Sequence, residues 1–249
     1  MDAVILLAGT GSRLNRSEVP HKSLLRFGDE TLLSRHLSCL QELGIACAHL
    51  VLGHNQTIVR DYAQGLGLDL PLHFIDNERY RTTGNTLSMV LGLRHCRNDA
   101  LIMDGDVLYP RSVFLDYVRR APASSFAVVP SDIHNEEAAK VLLRPDGTIQ
   151  AFVTKRAFTL EERNGFPFGG EAIGFFKLSA DHVARFLDLY DRHEAEYETA
   201  LWEIPFTEFS KEVPLQPWTI PTHDCFEIDT PEEYEYAREQ YCAHRGRYG

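Results

Sequence analysis

A chain of 249 residues, 44% of them hydrophobic, can bury a sizeable core, and 36 acidic against 25 basic residues leave a net charge of -11 that argues against a nucleic-acid partner. No apolar run reaches the roughly eighteen residues needed to span a bilayer, and Met1-Asp2 opens no secretory signal, so a cytoplasmic location without a membrane partner is expected. The cysteines, Cys39, Cys47, Cys96, Cys225 and Cys242, form no C-x-x-C pair and read as idle thiols rather than a disulfide framework or structural zinc.

Residues 4–7 read as a buried strand running into Ala8-Gly9-Thr10-Gly11-Ser12, a loop with too little side chain to keep backbone N–H groups from a bound phosphate. Arg13 adds a planar fork of donors, and Lys22, in Pro20-His21-Lys22, a compact charge; together they suit a triphosphate. The G-x-G completes neither the dinucleotide motif nor a Walker loop, and a glycine-rich turn with solvated basic residues fits the same letters.

Further along, periodicity predicts a helix over 31–43 closed by Gly44, a strand over 49–52, a helix over 56–65, a strand over 72–75 and a helix over 84–93. A strand over 100–103 and a helix begun by Pro110 and carrying 114–118 continue an alternation that argues for parallel strands with crossover helices. Asp104 and Asp106 stand just beyond the strand over 100–103, where open parallel sheets bind ligands. The two carboxylates suit Mg²⁺, which prefers hard oxygens, although a turn with two solvated acids has the same spelling.

The second half changes character. Strands are predicted over 126–129, 140–143, 149–154 and 172–176, with Pro145-Asp146-Gly147 as a hairpin turn. Helices are predicted over 180–191, 197–210 and 231–240, and 243–249 reads as a frayed tail. Asp229-Thr230-Pro231 fits a helix N-cap. His21, His54 and His223 are scattered and show no H-E-x-x-H spacing, so zinc catalysis is not expected.

The run Leu7-Ala8-Gly9-Thr10-Gly11-Ser12-Arg13-Leu14, followed by Pro20-His21-Lys22-Ser23-Leu24-Leu25, resembles the signature of nucleotidyltransferases that activate sugar phosphates and small phospho-alcohols. The resemblance implies an α/β fold with a Rossmann-like, mostly parallel mixed sheet flanked by helices, as in nucleotide-diphospho-sugar transferases. It implies one domain over 1–242, with a nucleotide-binding half over about 1–120 and an acceptor-binding half over about 121–242. Leu7 to Ser12, with Arg13 and Lys22, would wrap the nucleoside triphosphate, here with His21 inserted between the usual Pro and Lys. Asp104-Gly105-Asp106 and Glu227-Ile228-Asp229-Thr230-Pro231-Glu232-Glu233 both look like family motifs, which makes Asp106 and Asp229 the implied Mg²⁺ ligands and Asp104 the third candidate.

Asn85 and Ser88 resemble the N-x-x-S region of cytidylyltransferases acting on phosphocholine and aminoethylphosphonate, where they would bind the pyrimidine; capping of a helix is their other reading. Glu137 to Val141, Thr154-Lys155 and Gly170 to Gly174 are similar to further runs of that branch, implying that Lys140, Lys155 and Glu171 hold the acceptor. Thr154 replaces the family's glycine. Tyr197 to Trp202 resembles an aromatic and acidic segment in which Glu198 and Trp202 would meet an alkylammonium group, whereas a Trp beside Leu201 and Ile204 also reads as core.

A phosphate or phosphonate acceptor is already an anionic nucleophile, so no triad is required and Arg13, Lys22 and Asp106 carry the catalytic roles. The expected reaction is Mg²⁺-dependent transfer of CMP from CTP to such an acceptor with release of pyrophosphate, by a monomer or a homodimer. A sugar-1-phosphate nucleotidyltransferase using UTP or GTP is the nearest alternative, and a non-catalytic nucleotide sensor is the alternative of another class.

Overall fold

The computed structural model describes residues 1–14, 19–220 and 224–248. The chain opens with β1 (Asp2–Leu7), a small hairpin of β2 (Arg26–Phe27) and β3 (Glu30–Thr31), and helix α1 (Leu32–Glu42). It continues through β4 (Ala48–Leu52), α2 (Gln56–Gly65), β5 (Leu72–Asp76), α3 (Asn85–Leu93), β6 (Ala100–Asp104), β7 (Val107–Leu108) and α4 (Arg111–Arg120). The second half holds β8 (Ser125–Val129), β9 (Lys140–Leu143), β10 (Ile149–Val153), α5 (Leu160–Gly165), β11 (Phe168–Leu178), α6 (Ala180–Arg192), α7 (Glu194–Tyr197) and α8 (Glu203–Phe209). It closes with β12 (Gln216–Thr219), β13 (Phe226–Glu227), α9 (Pro231–Ala243) and α10 (Arg245–Tyr248).

The apolar run of β1 places it at the sheet centre, parallel to β4 on one side and to β6 on the other, with β5 beyond β4. Successive residues point to opposite faces: Ala3, Ile5 and Leu7 pack with Leu33, Leu37 and Leu40 of α1, while Val4 packs with Met89, Val90 and Leu93 of α3. Gly92 allows α3 to sit that close, since a Cβ there would lie 2.3 Å from Val4 Cγ1. The long β11 runs antiparallel to β6, β8 and β9, and β12 runs parallel to β8, so strands from both halves join one nine-stranded mixed sheet. Within that sheet, among the described residues, only β10 and β11 oppose the common strand direction, in keeping with the mostly parallel sheet expected. No helix among the described residues is long and apolar enough to cross a membrane.

Two expectations are corrected. The helix over 197–210 is broken: α7 ends at Tyr197, and α8 starts only at Glu203. The intervening backbone serves α3 instead, its Glu198 and Ala200 carbonyls accepting from Gly84 N at 2.9 Å and Thr86 N at 3.4 Å. The tail over 243–249 is not frayed across its described residues: α10 buries Tyr248 against Tyr241, the Tyr248 hydroxyl donates to Asp224 O at 2.8 Å, and its carbonyl accepts from Arg35 at 2.5 Å. One aromatic anchor in a polar segment produces no periodic signal, so composition alone reads as tail.

Candidate active site

The C-terminal ends of β1 and β6 open into a cleft of about 970 Å³ between the two halves. Glycine shapes its mouth. Gly11 has φ +60°, the left-handed region, and a Cβ there would press to 3.1 Å from Lys22 Cγ. Gly9 and Thr10 are exposed, and Ser12 to Leu14 form a single 3₁₀ turn that carries Arg13 toward the cleft.

His21 explains how Lys22 is positioned. Its Nδ1 accepts from Ser23 N, which leaves Nε2 to donate to Leu7 O at 3.1 Å, tying the lysine segment to the end of β1. Burial, opposed by that carbonyl, drops the His21 pKa to about 4, so the ring is neutral. A recess of about 80 Å³ lined by Leu7, Gly11, Lys22 and Asp106 adjoins the main cleft.

Lys22 Nζ donates to Asp106 Oδ2 at 2.7 Å and to Asp229 Oδ1, while Arg13 donates to Asp229 Oδ2 at 2.5 Å. Burial works against the Lys22 ammonium, but the charges of Asp106 and Asp229 overcome it and raise its pKa. Burial likewise opposes the Asp229 carboxylate, and Lys22 and Arg13 nevertheless hold its pKa below the ordinary value. The paired antiparallel strands β7 and β13 bring Asp106 and Asp229 together, with Ile228 N donating to Asp106 O at 3.1 Å. The cap read from Asp229-Thr230-Pro231 is Thr230, in a capping box with Glu233, which leaves the Asp229 carboxylate to the cleft.

Further carboxyls stand around this pair. Burial, then the charges of Asp106 and Glu203, raise the Asp104 pKa, with a hydrogen bond from the Trp202 side chain in opposition. Burial, then Asp104 and Asp106, push Glu227 well above its ordinary value, while Glu227 Oε1 accepts from Gly174 N at 3.1 Å. Burial also raises Glu171 and Glu203. Such a concentration of hard oxygens, with two carboxylates already sharing one cation, fits a divalent ion such as Mg²⁺ at Asp106 and Asp229.

Asn85 and Ser88 both line the cleft, and neither caps α3, whose N-cap is Gly84. Asn85 Oδ1 instead accepts from Trp202 N at 2.9 Å, and Ser88 Oγ from Asn77 Nδ2 at 3.0 Å. Lys155 also reaches the cleft, on a residue with φ +54°, and donates to Glu137 at 2.5 Å; Glu137 lies 3.6 Å from Arg13.

Three acceptor candidates have their side chains engaged within the fold, Trp202 in keeping with the core reading its neighbours also allowed. Lys140 is buried and does not itself line the cleft; its ammonium donates at 2.6 Å to the carbonyl of Asn135, which does. Glu198 is taken by Arg79 at 2.5 Å and lies off the cleft wall. Trp202 is 3% exposed and packs against Phe126, Phe152 and Phe176, so its body is core and only one edge meets the cleft. Glu137, Glu203 and Glu227 line the cleft and Asn77 holds Ser88 there, and none of the four was assigned a role from the sequence. The alternation of Glu227 with Asp229 along an extended segment was a usable signal for one of them. His223 falls outside the described residues.

Residues 3–161 match the MobA-like NTP transferase domain. The chain is 29% identical over 155 residues to CMP-5'-(3-aminopropyl)phosphonate synthase of Streptomyces rubellomurinus, covering 62% of this chain and 24% of that protein. It is 29% identical over 166 residues to bifunctional protein GlmU of Gloeobacter violaceus, covering 65% of this chain and 35% of that protein. The chain thus spans about a quarter to a third of the length of these curated relatives. In fold it is similar to the CTP:phosphocholine cytidylyltransferase of Streptococcus pneumoniae, with a TM-score of 0.74, 20% identity and coverage of 96% and 97% of the two chains.

Proposed function

Since the chain belongs to the MobA-like NTP transferase domain family, we propose that it transfers CMP from CTP to a small phosphate or phosphonate acceptor and releases pyrophosphate. The observation that carries this reading is the convergence of Lys22, Asp106 and Asp229 beside the glycine loop. The phosphonate synthase relative supports the choice of nucleotide and acceptor class.

In this reading the loop N–H groups and Arg13 hold the triphosphate, and Lys22 leaves its two acids for the phosphate oxygens as negative charge grows on the leaving pyrophosphate. Asn85 and Ser88 face the pyrimidine, with Asn77 fixing the Ser88 hydroxyl. An acceptor oxygen attacks the α-phosphorus while the bond to the bridging oxygen of pyrophosphate breaks. Mg²⁺ held by Asp106 and Asp229 would polarise the phosphate and bring the two anions together. Lys155, drawn from Glu137, meets the acceptor's anionic end. Glu203 suits an acceptor with an ammonium group, because its Oε2 is buried in the cleft wall with no hydrogen-bond partner among the described residues.

Pyrophosphate release measured over four nucleoside triphosphates and a panel of acceptors tests the proposal. Release with CTP and aminoalkyl phosphonates or phosphocholine supports it; no release with any pair refutes it. The similarity to GlmU favours a second reading, a sugar-1-phosphate nucleotidyltransferase, which release with hexose-1-phosphates and another triphosphate would establish instead.

A further inference from the structure

The opposite end of the sheet carries a second cluster that this reaction does not use. A ring nitrogen of His49, a carboxylate oxygen of Asp2 and the Cys96 sulfur lie within 4.8 Å of one another. They come from the start of β1, from β4 and from the turn after α3, which is why spacing along the chain concealed them. His49 is 5% exposed, and its Nε2 has no hydrogen-bond partner among the described residues. Its other nitrogen, Nδ1, lies 3.1 Å from His73 Nδ1. With the proton on His49 Nδ1 and donated to His73, Nε2 keeps a bare lone pair, which is how a metal-ligating imidazole is held by its neighbours.

Asp2 is pre-oriented in the same way. Its Oδ2 accepts from Arg97 N at 2.8 Å and Asn98 N at 3.2 Å, whereas among the described residues Oδ1 meets only Asn98 Nδ2, at 3.3 Å and shared with Oδ2, and retains accepting capacity. His73 and His95 are exposed, their ring centroids 4.7 Å apart, and give the cluster an open rim.

We propose that Asp2, His49 and Cys96 bind a transition-metal ion of the Zn²⁺ class, with His73 positioning the His49 ring and water or His95 completing the shell. Thiolate and imidazole donors select such an ion over Mg²⁺. Burial pushes the Cys96 thiol up to about 12, so the sulfur arrives protonated; coordination releases that proton to solvent and forms the metal–thiolate bond. The site lies roughly 16 Å from the cleft, at about 3.3 Å per residue along β1. Its effect is therefore to staple β1, β4 and the α3–β6 turn rather than to act on substrate.

Co²⁺ titration of the full chain, with excess Mg²⁺ occupying the hard-oxygen cleft, provides the test. One equivalent is expected to produce a sulfur-to-cobalt charge-transfer band, and Zn²⁺ is expected to raise the melting temperature. Cys96→Ser should abolish the band, and His49→Gln should weaken binding by about 100-fold or more. Cys96 is half-buried at the surface, so Cys96→Ser carries the test even where His49→Gln fails to fold. Absence of the band in the wild-type chain, or an unchanged band in either folded variant, overturns the proposal.

Discussion

Lys22 Nζ donates to Asp106 Oδ2 over 2.7 Å, joining residues 84 positions apart, and the same ammonium reaches Asp229. The lysine thus occupies the two carboxylates that a divalent cation would use. Lys22→Met should accordingly tighten Mg²⁺ binding while slowing pyrophosphate release by about 100-fold or more, the usual effect of losing one charge-stabilising donor. Calorimetry and a coupled pyrophosphate assay measure the two effects separately; a loss of both metal affinity and turnover would assign Lys22 a merely structural role.

His21 links stability to pH. Burial lowers its pKa from about 6.5 to about 4, so the unfolded chain binds the proton more readily. Its contribution is complete above about pH 6.5 and is lost as pH falls toward 4, amounting to about 3 kcal/mol. Urea unfolding between pH 7 and pH 4 should show this acid limb, and His21→Asn should flatten it; an equally steep limb in the variant would contradict the assignment.

Gly84 permits the backbone of 198–202 to cap α3. A Cβ there would stand 2.0 Å from Ala200 O, and a backbone atom cannot yield as a flexible side chain can. Gly84→Ala should destabilise the chain by about 3 kcal/mol or more, detectable by chemical denaturation. It should also impair use of CTP, since Asn85 follows directly.

Tyr248 anchors the last helix through Asp224, Tyr241 and Arg35. Tyr248→Ala is expected to cost about 3–5 kcal/mol, as for other large buried aromatic truncations. A melting temperature equal to that of the parent would show the segment to be dispensable.

The central strands were legible because 3–7, 50–52 and 100–103, within β1, β4 and β6, are unbroken apolar runs, and the ends of the predicted helices mostly differ by a residue or two from those observed. That Asp106 and Asp229 meet was legible only through motif resemblance, since nothing local reveals that β13 returns to β7. Lys140 shows the limit of motif reading: its letter fits an anion contact, yet the residue is buried and its ammonium is taken by the carbonyl of Asn135. Glu203 escaped notice because it sits in the span expected to be one long helix, and its burial becomes visible only once that helix breaks.

The most direct measurement compares Mg²⁺-dependent pyrophosphate release from CTP and an aminoalkyl phosphonate by the parent chain and by Asp106→Asn, with folding verified by circular dichroism. The expected result is turnover by the parent that ceases on chelation and falls by about 1000-fold in the variant, as charge stabilisation at the reacting phosphates is lost. Turnover by folded Asp106→Asn at close to the parent rate would contradict the assignment of this cleft as the reaction centre.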